Sequence, residues 1–536
     1  MESTLLLIVS ILFVVSLLSL LSERLGIAYP IFLVIAGLII SLVPNVPRIS
    51  LQSDIVFVIF LPPLLFAAAW NTSWKEFWFY RRPISLLAFG LVIFTSGIIA
   101  YVSHAIIPGF PLAHGFLLGG IISPPDAIAA TTVFKNLKVP RRALITLEGE
   151  SLVNDATSLI VFRFALVTVL TGNFVVWRAG VDFLMVVIMG VTIGLVIALI
   201  VRFIKHVISL TPSIATAISL IAPYLMYITA EHLGFSGVLA VVSGGLYMGY
   251  HAQDIYSYDA RMQMQSVWDT LVFLMNGVVF ILIGLQLPGI MEGIEKYSIQ
   301  DAIGYGVVIS LTAIIVRVVW VFPATYLPRI LSPFVRRREG NPGWKSTFIV
   351  AWSGMRGVVS LASALTIPLT LSSGAIFPYR NLILFITFCV ILFTLVLQGL
   401  SLPFIIRALK IKIPDTEAKQ RLAIHHALSL AALEHMKKAY PEQISNNPIF
   451  NAAKNRYEKI VEMAGQQLRE SESDRENHTT ALSAQYYQML IELVTVQRDE
   501  LRSMRRENAY MHELLRDKEF ELDLEEARLR RLAQQN

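Results

Sequence analysis

The chain has 536 residues, 55% of them hydrophobic and only 15% charged, with a formal net charge of +6. Soluble domains carry about 25% charged residues, so a wholly soluble protein is excluded. The single cysteine, Cys389, excludes a disulfide framework and a cysteine-based metal site. Charge is also unevenly placed: residues 1–408 hold 24 basic and 17 acidic groups, whereas the much shorter 409–536 holds 20 and 21. This predicts an all-α polytopic membrane domain over 1–408 and a mostly helical cytoplasmic tail over 409–536. The basic excess of the body is a topology bias rather than a nucleic-acid footprint.

A span needs about 20 mainly apolar residues. Thirteen stretches qualify, at roughly 3–21, 27–43, 53–70, 83–108, 112–134, 147–171, 180–203, 211–230, 235–250, 267–288, 299–327, 345–371 and 380–408. The first lacks a basic leader and an A-x-A-like cleavage site, so it reads as a span rather than a signal. The stretches 211–230 and 235–250 are short enough to be one broken hairpin. With the N-terminus outside, the inner connections carry sixteen Lys/Arg and the outer ones four, Arg48, Arg178, Lys296 and Arg380. That fits the positive-inside rule and puts the tail in the cytoplasm. Histidines His104, His114 and His232 fall at outer span ends and read as interfacial.

Ionisable residues within spans are costly and face a bundle interior, an aqueous cavity or each other. In the fifth stretch, Ser123-Pro124-Pro125-Asp126 must interrupt the helix, because two prolines cannot donate to the preceding turn. Irregular backbone at that depth lines a cavity or is buried in protein. Its freed carbonyls beside Asp126 make an oxygen-rich place for a hard cation, the plain alternative being a kink that Asp126 satisfies. The sixth stretch reads Glu148-Gly149-Glu150-Ser151-Leu152-Val153-Asn154-Asp155. Ser151, Asn154 and Asp155 share one helix face, at the depth of Asp126. Oxygen ligands alone suit Na⁺ or Li⁺, bound at Asp155, Asp126 and Ser151, rather than a transition metal. A carboxylate withdrawn from water needs a counter-charge, which a proton or a metal cation can supply in alternation. The bland reading is a polar cluster that only holds helices together.

The twelfth stretch carries Ser353-Gly354-Met355-Arg356-Gly357 and runs opposite to the fifth, as inverted repeats with two discontinuous helices require. Arg356 needs a buried partner. Glu150 is the best-placed candidate, and the backbone carbonyls of a broken helix are the alternative. Arg163 and Arg317 also lie within spans, with partners the sequence does not reveal.

At these residues, and at Leu61-Pro62-Pro63-Leu64, the sequence resembles the monovalent cation:proton antiporter-1 family of NhaP-like and NHE-like sodium/proton exchangers, over about residues 1–410. The resemblance implies a thirteen-span homodimer with two crossing discontinuous helices, broken at Pro124, Pro125, Gly354 and Gly357. It implies that Asp155 carries the ion or the proton, assisted by Ser151, Asp126 and backbone at the break. Asn154 matches the electroneutral branch, and Glu150 and Arg356 match a structural ion pair. Two positions depart from the family pattern. Asp126-Ala127 stands where Asp-Pro is common, the prolines lying ahead of the Asp, and Ala67 stands where many members place an acidic cation ligand.

In the tail, Leu490, Val494, Leu501, Met504, Met511, Leu515, Leu522 and Leu529 recur at helical spacing, after a polar divider at 471–480. Gln497, Asn508, Lys518 and Glu525 interrupt the seam, which favours packed amphipathic helices over a long coiled coil, in a regulatory or dimer-supporting domain. The sequence therefore points to a secondary antiporter of a plasma membrane that trades cytoplasmic Na⁺, or Li⁺ or K⁺, for external H⁺. It is not an enzyme, needs no cofactor and binds no nucleic acid. The alternatives are an uncoupled cation channel and an intramembrane hydrolase.

Overall fold

The computed structural model describes residues 2–43, 56–134, 137, 139–172, 176–208, 210–294, 298–371, 375–411, 416–469, 479–507 and 512–535. The chain divides into two compact units, Met1–Ile413 and Pro414–Asn536. In the first, α1 (Glu2–Leu25) and α2 (Tyr29–Ser41) precede α3 (Leu61–Asn71), which is entered through a π-turn, and α4 (Arg81–Ile106). Then follow α5 (Leu112–Ile122), α6 (Ala127–Phe134), α7 (Arg141–Thr171), α8 (Val176–Val207), α9 (Pro212–His232), α10 (Gly237–Tyr250) and α11 (Tyr258–Leu285). The unit ends with α12 (Ile299–Leu331), α13 (Pro333–Glu339), α14 (Trp344–Trp352), α15 (Val358–Leu365) and α16 (Arg380–Leu409).

All thirteen apolar stretches carry helix, and nine helices among the described residues are long and apolar enough to cross a membrane unaided. The chain around 211–250 is two helices rather than one broken hairpin, each started by a hydroxyl cap: Thr211 accepts from the Ile214 amide and Ser236 from that of Leu239. Large apolar side chains such as Leu184, Ile188, Phe203, Ile221, Leu225 and Ile315 point outward and exposed. Water would penalise such a surface, whereas a bilayer is its natural solvent.

Two apolar cores lie inside this unit. One gathers Val15, Leu33, Leu117, Phe162, Ile309 and Leu382 from α1, α2, α5, α7, α12 and α16. The other gathers Phe66, Ala198, Met226, Leu246 and Trp268 from α3 and α8–α11. Two helices belong to both. On α7, Leu147 and Phe162 pack in the first core and Leu152 and Ala156 in the second. On α11, Phe280 packs in the first and Met264 and Trp268 in the second. The stretches of α7 and α11 between these anchors therefore lie along the seam.

In the second unit, α17 (Thr416–Ala439) packs on α18 (Pro448–Arg469), and α19 (Thr479–Glu507) on α20 (His512–Gln535). The seam residues Val494, Leu515, Leu522 and Leu529 are buried, and Arg498 crosses from α19 to Asp523 and Glu526 at 2.7 and 2.5 Å. The repeat read from the sequence thus closes within one chain, as a helix pair. Met511 and most of the polar divider lie outside the described residues.

Candidate functional site

The site is built where two interrupted helices meet. Between α5 and α6 residues 123–126 stand outside any helix, and between α14 and α15 residues 353–357 do so. The prolines at 124 and 125 cause the first interruption, since neither has an N–H for the helical ladder. The two breaks bond to each other: the Asp126 amide donates to the Met355 carbonyl at 2.7 Å, and Arg356 Nε donates to the Ile122 carbonyl at 2.9 Å. Gly357 permits this approach, because a Cβ there would occupy the position of the Asp126 carboxylate.

Several carbonyls freed by the break have side-chain partners. Ser123 Oγ donates to Gly120, Arg356 to Ile122, and Asn154 Nδ2 to Pro125 at 2.9 Å. These are therefore not idle ligands. Ser151 Oγ accepts from the Ala127 amide at 3.4 Å, so the α7 face read from the sequence, Ser151 and Asn154, grips the interruption from one side. Asp126 uses Oδ1 to cap α6, accepting from the Ile128 amide at 2.8 Å. Asp155 is 7% exposed, and no hydrogen bond from a described residue reaches its carboxylate.

The pairing of Glu150 with Arg356 is corrected. Glu150 is held by Arg317, from α12, in a two-pronged contact at 2.6 and 2.9 Å, and both side chains are almost wholly buried. Arg317 also donates to the Val350 carbonyl, and Gly354 leaves it room. Arg356 meets backbone instead, the carbonyls of Ile122 and Gly354, while its amide donates to Thr394 Oγ1. Depth along a span can be read from sequence, but the azimuth that selects one of two arginines cannot. Arg163, also unassigned in the sequence, pairs with Glu231 at 2.5 Å. His114 is not interfacial: it is buried among the rings of Phe110, Phe377 and Tyr379.

A cavity of about 690 Å³ reaches the crossing, where Asp126, Ser151 and Asp155 line it, and extends to Asn71, Thr72, Glu148 and Asp269. Asn154 lies behind this wall, fully buried. Among the described residues, every charged one in the lining is acidic: Asp126, Glu148, Asp155 and Asp269. Low-dielectric walls with charge of one sign concentrate ions of the opposite sign.

Fold and site together define a polytopic helical membrane protein whose crossed helix breaks hold a buried acidic centre. The sequence profile described as sodium/hydrogen exchanger, transmembrane, matches residues 9–408, and the chain belongs to that family. It is 32% identical over 385 residues to a sodium, potassium, lithium and rubidium/H⁺ antiporter of Bacillus pumilus, covering 70% of this chain and 57% of that one. It thus spans little more than half the length of that relative. An uncharacterized Na⁺/H⁺ exchanger of Mycobacterium tuberculosis is 29% identical over 522 residues, covering 95% of this chain and 93% of its own. The fold matches that of the sodium proton antiporter MjNhaP1 from Methanocaldococcus jannaschii, with a TM-score of 0.59 at 21% identity over 76% of this chain and 99% of that one.

Proposed function

We propose that the chain is a secondary antiporter that exchanges cytoplasmic Na⁺, or Li⁺ or K⁺, for external H⁺ by alternating access. The observation that carries the reading is the cavity whose described charged residues are all acidic, and which ends at an Asp155 carboxylate without a cationic partner among the described residues. The family membership supports it, as do the cations in the name of the Bacillus relative.

In the cycle, deprotonated Asp155 takes the cation from the cavity, with Ser151 and Asp126 as further oxygen ligands. Movement of one apolar core against the other then turns the site outward. Protonation of Asp155 there expels the cation, and the protonated site returns. Competition at one carboxylate couples the two fluxes. One charge trades for one, since Asn154 adds none, so the exchange is electroneutral. No catalysis and no cofactor enters.

The mouth residues Asn71 and Thr72 follow α3 toward Lys75, Arg81 and Arg82, a basic and therefore inner connection. This supports an inward-facing form, with thirteen spans, the N-terminus outside and the tail cytoplasmic. The family pattern supports a homodimer in the plasma membrane, with the tail in a regulatory or dimer-supporting role.

The test is proton movement in everted vesicles containing the full chain. Adding Na⁺, Li⁺ or K⁺ is expected to dequench a trapped pH dye. Vesicles in which none of the three moves protons beyond the empty-vector level would contradict the reading.

A further inference from the structure

The crossing does not supply all the polar groups around the cavity. Asn276 stands on α11, along the seam between the two cores, and lines the same cavity. It is 2% exposed, and its Oδ1 has no hydrogen-bond partner among the described residues. Leaving an amide oxygen buried and unpaired is unfavourable, so the position calls for an occasional partner. Tyr29, at the start of α2, lines the cavity too, and interacts with the side chains of Thr132 and Asn276 and with the charge of Asp126. Four elements thus bring an amide, two hydroxyls and a carboxylate together, all hard oxygen donors.

We propose that Asn276 is a direct ligand for the transported cation, forming with Asp126, Thr132 and Tyr29 a second monovalent-cation subsite occupied on the way to Asp155. The proposal rests on the exchange reading above and adds a selectivity element to it. A carboxylate accepts a proton or a metal cation, whereas a neutral amide oxygen at physiological pH takes only the metal cation. Asn276 therefore tilts the competition toward the cation without adding a titrating group. An oxygen fixed on α11 also sets the size of the subsite, and so the order of preference among Li⁺, Na⁺ and K⁺. Because α11 is anchored in both cores, displacement of one core moves Asn276 relative to Asp126 and releases the ion.

The experiment compares full-length wild type, Asn276→Leu and Asn276→Asp in proteoliposomes, using Na⁺, Li⁺ and K⁺ separately at several pH values. Thermal stabilisation of the purified proteins by Na⁺ is measured in parallel. Asn276→Leu is expected to raise the half-saturating Na⁺ concentration by roughly tenfold, the usual scale for losing one contact to a charged partner. It should also change the ratio among the three cations and weaken stabilisation by Na⁺. Asn276→Asp restores oxygen ligands but adds a site for a proton, so its cation affinity should recover at alkaline pH and fall more steeply in acid than that of wild type. A folded leucine variant with wild-type half-saturation for all three cations would overturn the proposal. Should that variant not fold, an aspartate variant with wild-type pH profile and cation ratios would overturn it equally. A wild type that moves no protons with any of the three removes the exchange reading and this inference with it. Active wild type with unaltered variants removes only the inference.

Discussion

Glu150 and Asp155 stand on the same helix, little more than a turn apart, both buried, yet their surroundings are opposite. Glu150 is closed by the Arg317 guanidinium. Asp155 faces a cavity whose described charged residues are all acidic. The first arrangement fixes a charge permanently. On the proposed reading, the second leaves a charge for a mobile counter-ion to match. On that reading, burial alone does not mark the transport residue; the lack of a cationic partner among the described residues does. Near the N-terminus of the same helix, Arg142 joins Arg82 and Arg329 around Glu339 at 2.6 to 3.3 Å, a second carboxylate closed by resident charge.

The largest effect should come from opening the closed pair. Removing one member of a buried ion pair strands the other, at a cost of about 3–5 kcal/mol. Glu150→Gln or Arg317→Gln alone should therefore depress the melting temperature in detergent, and the double neutralisation should recover part of the loss. A double-mutant cycle gives the coupling. It should be large for Glu150 with Arg317 and small for Glu150 with Arg356, which is bonded to backbone. The reverse order would show that the closed pair is wrongly drawn.

A smaller effect is expected at Glu339, where pH supplies the sign. Burial pushes its carboxyl up, but hydrogen bonding and charge from Arg82, with the charges of Arg329 and Arg142, outweigh this and hold it below the ordinary range. A carboxylate depressed in the folded state stabilises above its unfolded value, about 4, and that contribution is lost as pH falls through the folded value. Glu339→Gln should thus melt below wild type near neutrality, and the gap should close on acidification. A gap independent of pH would remove the electrostatic account.

The smallest effect is a predicted zero. If Asp155 trades one charge for one, a potential imposed with valinomycin should leave the initial rate of Na⁺-driven proton flux unchanged. Clear acceleration would mean that a second group titrates during the cycle, with Asp126 the first suspect.

Much of this contrast is legible in the sequence. Pro124 and Pro125 cannot continue a helix, and the spacing of Ser151, Asn154 and Asp155 aims three polar groups one way; in the fold Ser151 and Asn154 bond to the backbone at that interruption. What failed was azimuth. Arg317 and Arg356 both lie deep in apolar stretches, and no periodicity tells which of them faces Glu150. Glu339 escaped because it sits in a connection, where a carboxylate among arginines looks like ordinary surface. Asn276 escaped because counting Lys, Arg, Asp and Glu within spans passes over an uncharged amide, although an amide in the middle of so apolar a stretch is a readable signal. His114 was misplaced because nearness to a span end does not reveal the rings of Phe377 and Tyr379, contributed from far along the chain.

The central claim, that one unpaired carboxylate alternates between cation and proton, is tested most directly by Asp155→Asn. The variant keeps shape and breaks no ion pair with a described residue, so it should purify with a melting temperature close to that of wild type. Reconstituted in proteoliposomes, it should show no Na⁺-driven proton flux above empty liposomes at any pH. Substantial flux from a folded Asp155→Asn protein would contradict the account.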